Sequence, residues 1–199
     1  MLSNATGGGG ILPLEYQRVD WIGTDGHCLI NTNVVAMGSP FFEAEHLASS
    51  ESQDGLLVCF ASRGEPDWTV NYYYVDHRVL GRYGSGNIFD IAPRYTADVW
   101  HTVSASREVY YDGTLTYIWS AYDFSNNIKT ICLFARLNGS AGFIGKVKTC
   151  TIKDGDTVRF IGVPCYRKSD GEIGMYDTVS KTFFTNAGTG SFTKGADVN

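Results

Sequence analysis

Short apolar and aromatic runs recur along this chain at intervals of roughly 8–12 residues, each closed by a Gly-, Asp- or Asn-containing turn, and that spacing most narrows what the chain can fold into. Runs at 15–22, 27–32, 41–48, 56–62, 68–75 and 78–83 are followed by others at 87–91, 99–106, 109–111, 114–119, 129–136, 143–153, 157–163, 172–176 and 182–185. None shows the period and caps of a helix. The 23 Gly against 5 Pro, with 12 Tyr, 11 Phe and 4 Trp, supply the turns and β-prone rings that such a chain needs. An all-β fold is expected, with two antiparallel sheets packed as a sandwich.

Residues 12–199 read as one domain, since no composition shift and no repeat of 20–50 residues divides them. Residues 1–11 read as a flexible Gly-rich tether without the basic start and apolar core of a secretory signal. No apolar run approaches 18 residues, so no membrane insertion is expected. The net charge is −5 and the 16 basic residues are scattered, which argues against nucleic acid as a partner. Turns are expected at 23–26, Asp112-Gly113, 154–156 and Ser169-Asp170-Gly171, and residues 177–181 should join a C-terminal hairpin. Pro164, lacking a backbone donor, fits a strand end better than a strand middle.

Three segments carry a resemblance. PCYRKSDGEIGMYDTVSKTFFTNAGTGSF (164–192) resembles the C-terminal signature of a family of concanavalin A-like, laminin-G-like jelly-roll modules found in phage tail and surface proteins and in gut-bacterial surface proteins. LPLEYQRVDWIGTDGHCLINTNV (12–34) is similar to that family's opening, and WHTVSASREVYYDGTL (100–115) to its core hairpin, where a Trp-His pair opens one strand and a Tyr-x-Asp-Gly turn closes the next. The resemblance spans about residues 12–195. It implies a concanavalin-like jelly-roll sandwich in the role of a phage virion accessory or bacterial surface module.

Catalytic candidates are sparse. Glu43 and Glu45 in FFEAEHL share one strand face, as a glycosidase pair would, but a laminarinase-type motif wants a third carboxylate where Ala48 stands. The histidines 27, 46, 77 and 101 show no ligand spacing. Five cysteines, 28, 59, 132, 150 and 165, without a C-x-x-C pair, read as buried free thiols, leaving open one bridge through Cys150 or Cys165. No cofactor is expected, although the turn aspartates 25, 54, 76, 112 and 170 leave room for a structural calcium ion.

Aromatics are the favoured binding elements, because sugars present apolar C–H faces to rings and hydroxyls to polar side chains. The candidates are Trp68, Tyr72, Tyr73 and Tyr74 beside the loop with Arg63 and Asp67, and a second polar-aromatic loop with Tyr166 and Arg167. Core packing explains the same rings. The expected function is a non-catalytic carbohydrate or cell-surface binding module, a phage adhesin acting as a homo-oligomer with other virion or surface proteins. The expected location is the virion or the bacterial cell surface. The alternatives are a purely structural or oligomerisation module and a laminarinase-like hydrolase.

Overall fold

The computed structural model describes residues 12–49, 54–60, 67–73, 77–84, 89–92, 94–136 and 138–199, so the expected tether lies outside the described residues. All regular structure among these residues is β, apart from one 3₁₀ position at His77. The strands are β1 (Tyr16–Arg18), β2 (Ile22–Asp25), β3 (Ile30–Val35), β4 (Pro40–Ala48), β5 (Asp54–Phe60), β6 (Asp67–Tyr73), β7 (Arg78–Gly84), β8 (Phe89–Ala92), β9 (Trp100–Ala105), β10 (Glu108–Tyr111), β11 (Thr114–Ile118), β12 (Thr130–Leu133), β13 (Ile144–Asp154), β14 (Thr157–Arg167), β15 (Ile173–Asp177), β16 (Thr182–Phe184) and β17 (Thr193–Lys194).

They form two antiparallel sheets. The larger follows the order β11-β10-β9-β4-β13-β14-β15-β16, with β1 on β14 and β2 between β13 and β17; the smaller follows β3-β12-β5-β6-β7-β8. Alternation sorts the side chains. Phe42 and Ala44 of β4, Val103 and Ala105 of β9, and Val147, Cys150 and Ile152 of β13 turn into one core. Ile131 and Leu133 of β12, Val58 of β5, Val70 of β6 and Val79 of β7 meet them from the smaller sheet. Each of the buried Val, Leu, Ile and Phe side chains stabilises the fold by about 1.5–3 kcal/mol. This is a concanavalin-like, laminin-G-like jelly-roll sandwich.

The two ends of the chain close on each other. Thr193 and Lys194 of β17 pair with Gly23 and Ile22 of β2, and Val19 bridges Asp197. The carboxamide of Asn186 ties the adjoining loop to the chain's start: its Oδ1 accepts the N–H groups of Leu29 (2.9 Å) and Gly188 (2.8 Å), and its Nδ2 donates to the Gly190 carbonyl (2.6 Å). The opening and closing segments therefore build one joint.

Local expectations need four corrections. The run 15–22 is two strands, and residues 23–25 belong to β2 rather than to a turn, because β13 pairs with all three and β17 pairs with Gly23 from the other side. Gly23 is needed there for space: a Cβ would meet Thr193 Oγ1 at 2.7 Å. The second strand starts at Ile30 instead of 27, since Asp25 Oδ1 accepts the His27 N–H and holds that segment as a turn. The run 129–136 stops at Leu133, where Phe134 takes φ +72° and exchanges backbone bonds with Leu57 and Phe143. Pro164 sits inside β14, opposite Met175. Its carbonyl accepts the Val19 N–H (3.0 Å), so the missing donor falls where β14 passes from β13 to β1 and costs no ladder bond.

Candidate functional site

Among the sequence-selected binders, Arg63 and Tyr74 lie outside the described residues. Asp67, Trp68, Tyr72 and Tyr73 belong to β6, between β5 and β7 in the smaller sheet. Backbone register sets Trp68 opposite Tyr83, Tyr72 opposite Val79 and Tyr73 opposite Arg78. Trp68 and Tyr72 stand two positions either side of core residue Val70 in the strand. Tyr73 is the register partner of Arg78, whose guanidinium grips Asp90 through two bonds of 2.6 and 2.8 Å. That contact holds the Asp90 carboxyl below its ordinary range.

Tyr166 and Arg167 are the end of β14, not a loop, because β1 and β15 flank them on both sides. Being adjacent in a strand, they face opposite ways. Tyr166 packs against the core, with Lys194 Nζ 4.7 Å from its ring and Asp197 Oδ2 3.2 Å from its hydroxyl. Arg167 chelates Asp170 and covers the ring of Phe183 at 5.6 Å. The fold does not bring the two into one site.

Glu43 and Glu45 share a face, as their spacing requires, but the face is a continuous sheet between β9 and β13. Glu45 Oε1 accepts from Lys148 Nζ at 2.7 Å, and that ammonium lies 4.5 Å from the Trp100 ring. Glu43 Oε2 accepts from Ser104 Oγ at 3.2 Å. His46 is fully buried, and burial lowers its pKa to about 3. Among the described residues, no group of three or more His, Cys, Asp or Glu could hold a metal ion. Asp25 and Asp170 accept backbone N–H bonds within their own turns, and Asp112 accepts the Thr102 N–H across the β9–β10 hairpin.

A concave feature among the described residues lies elsewhere, in the connection from β11 to β12. A cavity of about 250 Å³ is lined there by Tyr122, Asp123, Phe124, Asn126, Asn127, Ile128 and Lys129. The segment is anchored from below. Phe124 is buried and packs edge-on to Tyr83 (4.9 Å, 87°) and against Tyr122 (4.9 Å). Asn127 Nδ2 donates to the carbonyls of Ala36 (2.9 Å) and Lys129 (3.1 Å), while its Oδ1 accepts the Lys129 N–H (3.0 Å). Asp123 Oδ1 accepts the Ser125 N–H at 2.8 Å, which keeps its carboxyl below the ordinary range. Gly84, at φ +85°, leaves room for Tyr122, whose ring a Cβ would strike.

Sequence reasoning passed over this segment, because it follows strand periodicity and residues 120–128 have none. A signal was present: a long connection combining Tyr, Phe, Asp and two Asn is where binding loops concentrate.

No protein-family model matches the chain, and no curated protein sequence matches it. Solved structures do. A candidate carbohydrate-binding protein from Bacteroides ovatus superposes with a TM-score of 0.54 at 11% identity, over 92% of this chain and 62% of that one. The heptameric SAP-like pentraxin of Limulus polyphemus gives 0.55 at 9% identity, over 89% of this chain and 96% of that one. Domains LG4-5 of the mouse laminin α1 chain give 0.49 at 18% identity, over 72% and 44%. The chain therefore spans less than two thirds of the Bacteroides and laminin chains, and identities this low speak for the fold.

Proposed function

We propose that this chain is a non-catalytic carbohydrate-binding module that engages cell-surface glycan. The carrying observation is the cavity of Tyr122, Asp123 and Asn126, a concave site pairing an aromatic wall with hydrogen-bonding groups. The sandwich shared with the Bacteroides ovatus protein supports this reading. So does the lack of a carboxylate cleft around Glu43 and Glu45. The finer role, a phage virion accessory or bacterial surface adhesin displayed as a homo-oligomer, is part of the proposal. So is β6 around Tyr73, paired in register with Arg78, as a second contact surface.

The test is a broad glycan array, run with calcium and with chelator, comparing the parent with Tyr122→Ala and Tyr73→Ala. Saturable binding to one glycan class supports the module, and the variant that loses it marks the surface. A blank from folded protein overturns the reading.

One observation favours a structural or oligomerisation module as the second reading. Strand β11 pairs only with β10 among the described strands, carries no charged residue, and exposes Leu115 and Ile118 by 44% and 56%. Such an edge offers unpaired backbone groups to another strand. Sedimentation that stays monomeric at high concentration would remove this reading.

A further inference from the structure

This inference rests on the carbohydrate reading above and names its ligand. We infer that the cavity in the β11–β12 connection takes one neutral pyranose ring at the end of a glycan chain, held through a vicinal pair of hydroxyls.

Size limits the occupant first. Sites for drug-sized ligands run from about 300 to 1,000 Å³, so a cavity of about 250 Å³ holds a single ring and not a run of them. The lining then sets the chemistry. Tyr122 and the highly exposed Ile128 give apolar walls that suit the C–H face of a sugar. Opposed to these in character are Asp123 and Asn126, both exposed. Asp123 spends Oδ1 on the Ser125 N–H and keeps further acceptor capacity for hydroxyl donors. Asn126 supplies a donor and an acceptor. Asn127 spends both ends of its amide inside the loop, so it shapes the cavity and does not bind.

Charge disfavours an acidic group beside Asp123. Asp123 is ionised at neutral pH and repels a ligand carboxylate or sulfate, while Lys129 in the lining is itself engaged. A carboxylate that accepts from two adjacent hydroxyls, beside a ring that stacks on the sugar face, selects a neutral ring with a vicinal diol.

The experiment titrates the whole chain, followed by NMR, with three sets of probes. These are methyl glycosides of neutral hexopyranoses, the matching uronic acids, and neutral oligosaccharides of two to six rings ending in the same sugars. The expected result is binding of one neutral methyl glycoside within about threefold of the oligosaccharide it terminates, because further rings lie outside the cavity. The matching uronic acid should bind about tenfold more weakly or not at all. Asp123→Asn, an exposed and nearly isosteric change, should cost about tenfold in affinity for the neutral ring, the worth of a charge-assisted hydrogen bond. Affinity that climbs steadily with chain length, a preference for the uronic acid, or binding indifferent to Asp123→Asn would each overturn this inference and leave the carbohydrate reading standing. No binding by any sugar would overturn both.

Discussion

His101 Nδ1 stands 2.8 Å from Asp112 Oδ2, and the other oxygen of that carboxylate accepts the Thr102 N–H at 2.9 Å. The Trp-His pair and the Tyr-x-Asp-Gly turn picked out in the sequence are thus two halves of one clasp across the β9–β10 hairpin. Asp112 itself takes φ +49°, a region Asp tolerates better than most residues. The histidine serves this clasp. Asp112→Ala should destabilise the protein by about 1–3 kcal/mol, through lost hydrogen bonds and left-handed strain. Urea unfolding measures this, and the glycan binding proposed for the β11–β12 connection should stay unchanged.

His46, beside His101 in the same row and 6.3 Å from the Tyr111 ring, makes stability depend on pH. Its folded pKa is lowered to about 3 by burial, against about 6.5 unfolded. Between these values the unfolded chain binds the extra proton, so stability falls as pH falls. The slope approaches about 1.4 kcal/mol per pH unit, and this contribution is fully present above pH 6.5. Urea midpoints between pH 7 and 4.5 should show the decline, and His46→Leu should flatten it.

Asp177 organises the C-terminal hairpin from inside. Its buried carboxylate accepts the N–H groups of Ile161 (2.8 Å), Val179 (3.0 Å) and Ser180 (3.0 Å). Asp177→Ala removes three backbone hydrogen bonds, two of them from the exposed turn residues Val179 and Ser180 that water can resolvate, and should cost about 2 kcal/mol, the worth of a hydrogen bond to a charged group. Thermal unfolding with that loss, set against a near-neutral Asp156→Ala control on the exposed turn, would confirm the role.

The thiols of Cys28, Cys132, Cys150 and Cys165 should be inert in the native protein. Cys28, Cys132, Cys150 and Cys165 are free and buried, and burial pushes Cys132 to about 11 and Cys150 and Cys165 to about 12. Reaction with an aromatic disulfide reagent at pH 8 should be slow until denaturant is added, and reductant should leave the melting temperature unchanged. The bridge left open for Cys150 or Cys165 does not form in this structure.

Glu43→Gln together with Glu45→Gln should change stability by less than about 1 kcal/mol, because the Glu45–Lys148 pair is partly exposed. Polysaccharide hydrolysis assays on parent and variant should give the same background rate. A rate in the parent that the double change abolishes would restore the enzyme reading.

Periodicity of two, broken by Gly and Asp turns, was enough to determine an antiparallel sandwich. It located most strands within a few residues, because alternation and turn chemistry are local properties. The C-terminal hairpin at residues 173–184, with Asp177 at its corner, was legible in this way. What depends on distant partners was not. Residues 23–25 are a strand because β13 pairs with all three and β17 closes on Gly23, and Pro164 is tolerated mid-strand because two neighbouring strands change over beside it. Adjacency in sequence grouped Tyr166 with Arg167, whereas strand geometry turns them to opposite faces. The cavity around Tyr122 and Asp123 was hidden for the same reason. A connection without period has no local rule to read, and its shape is set by Phe124 against Tyr83 and by Asn127 reaching the Ala36 carbonyl, contacts that exist only once the sheets have packed.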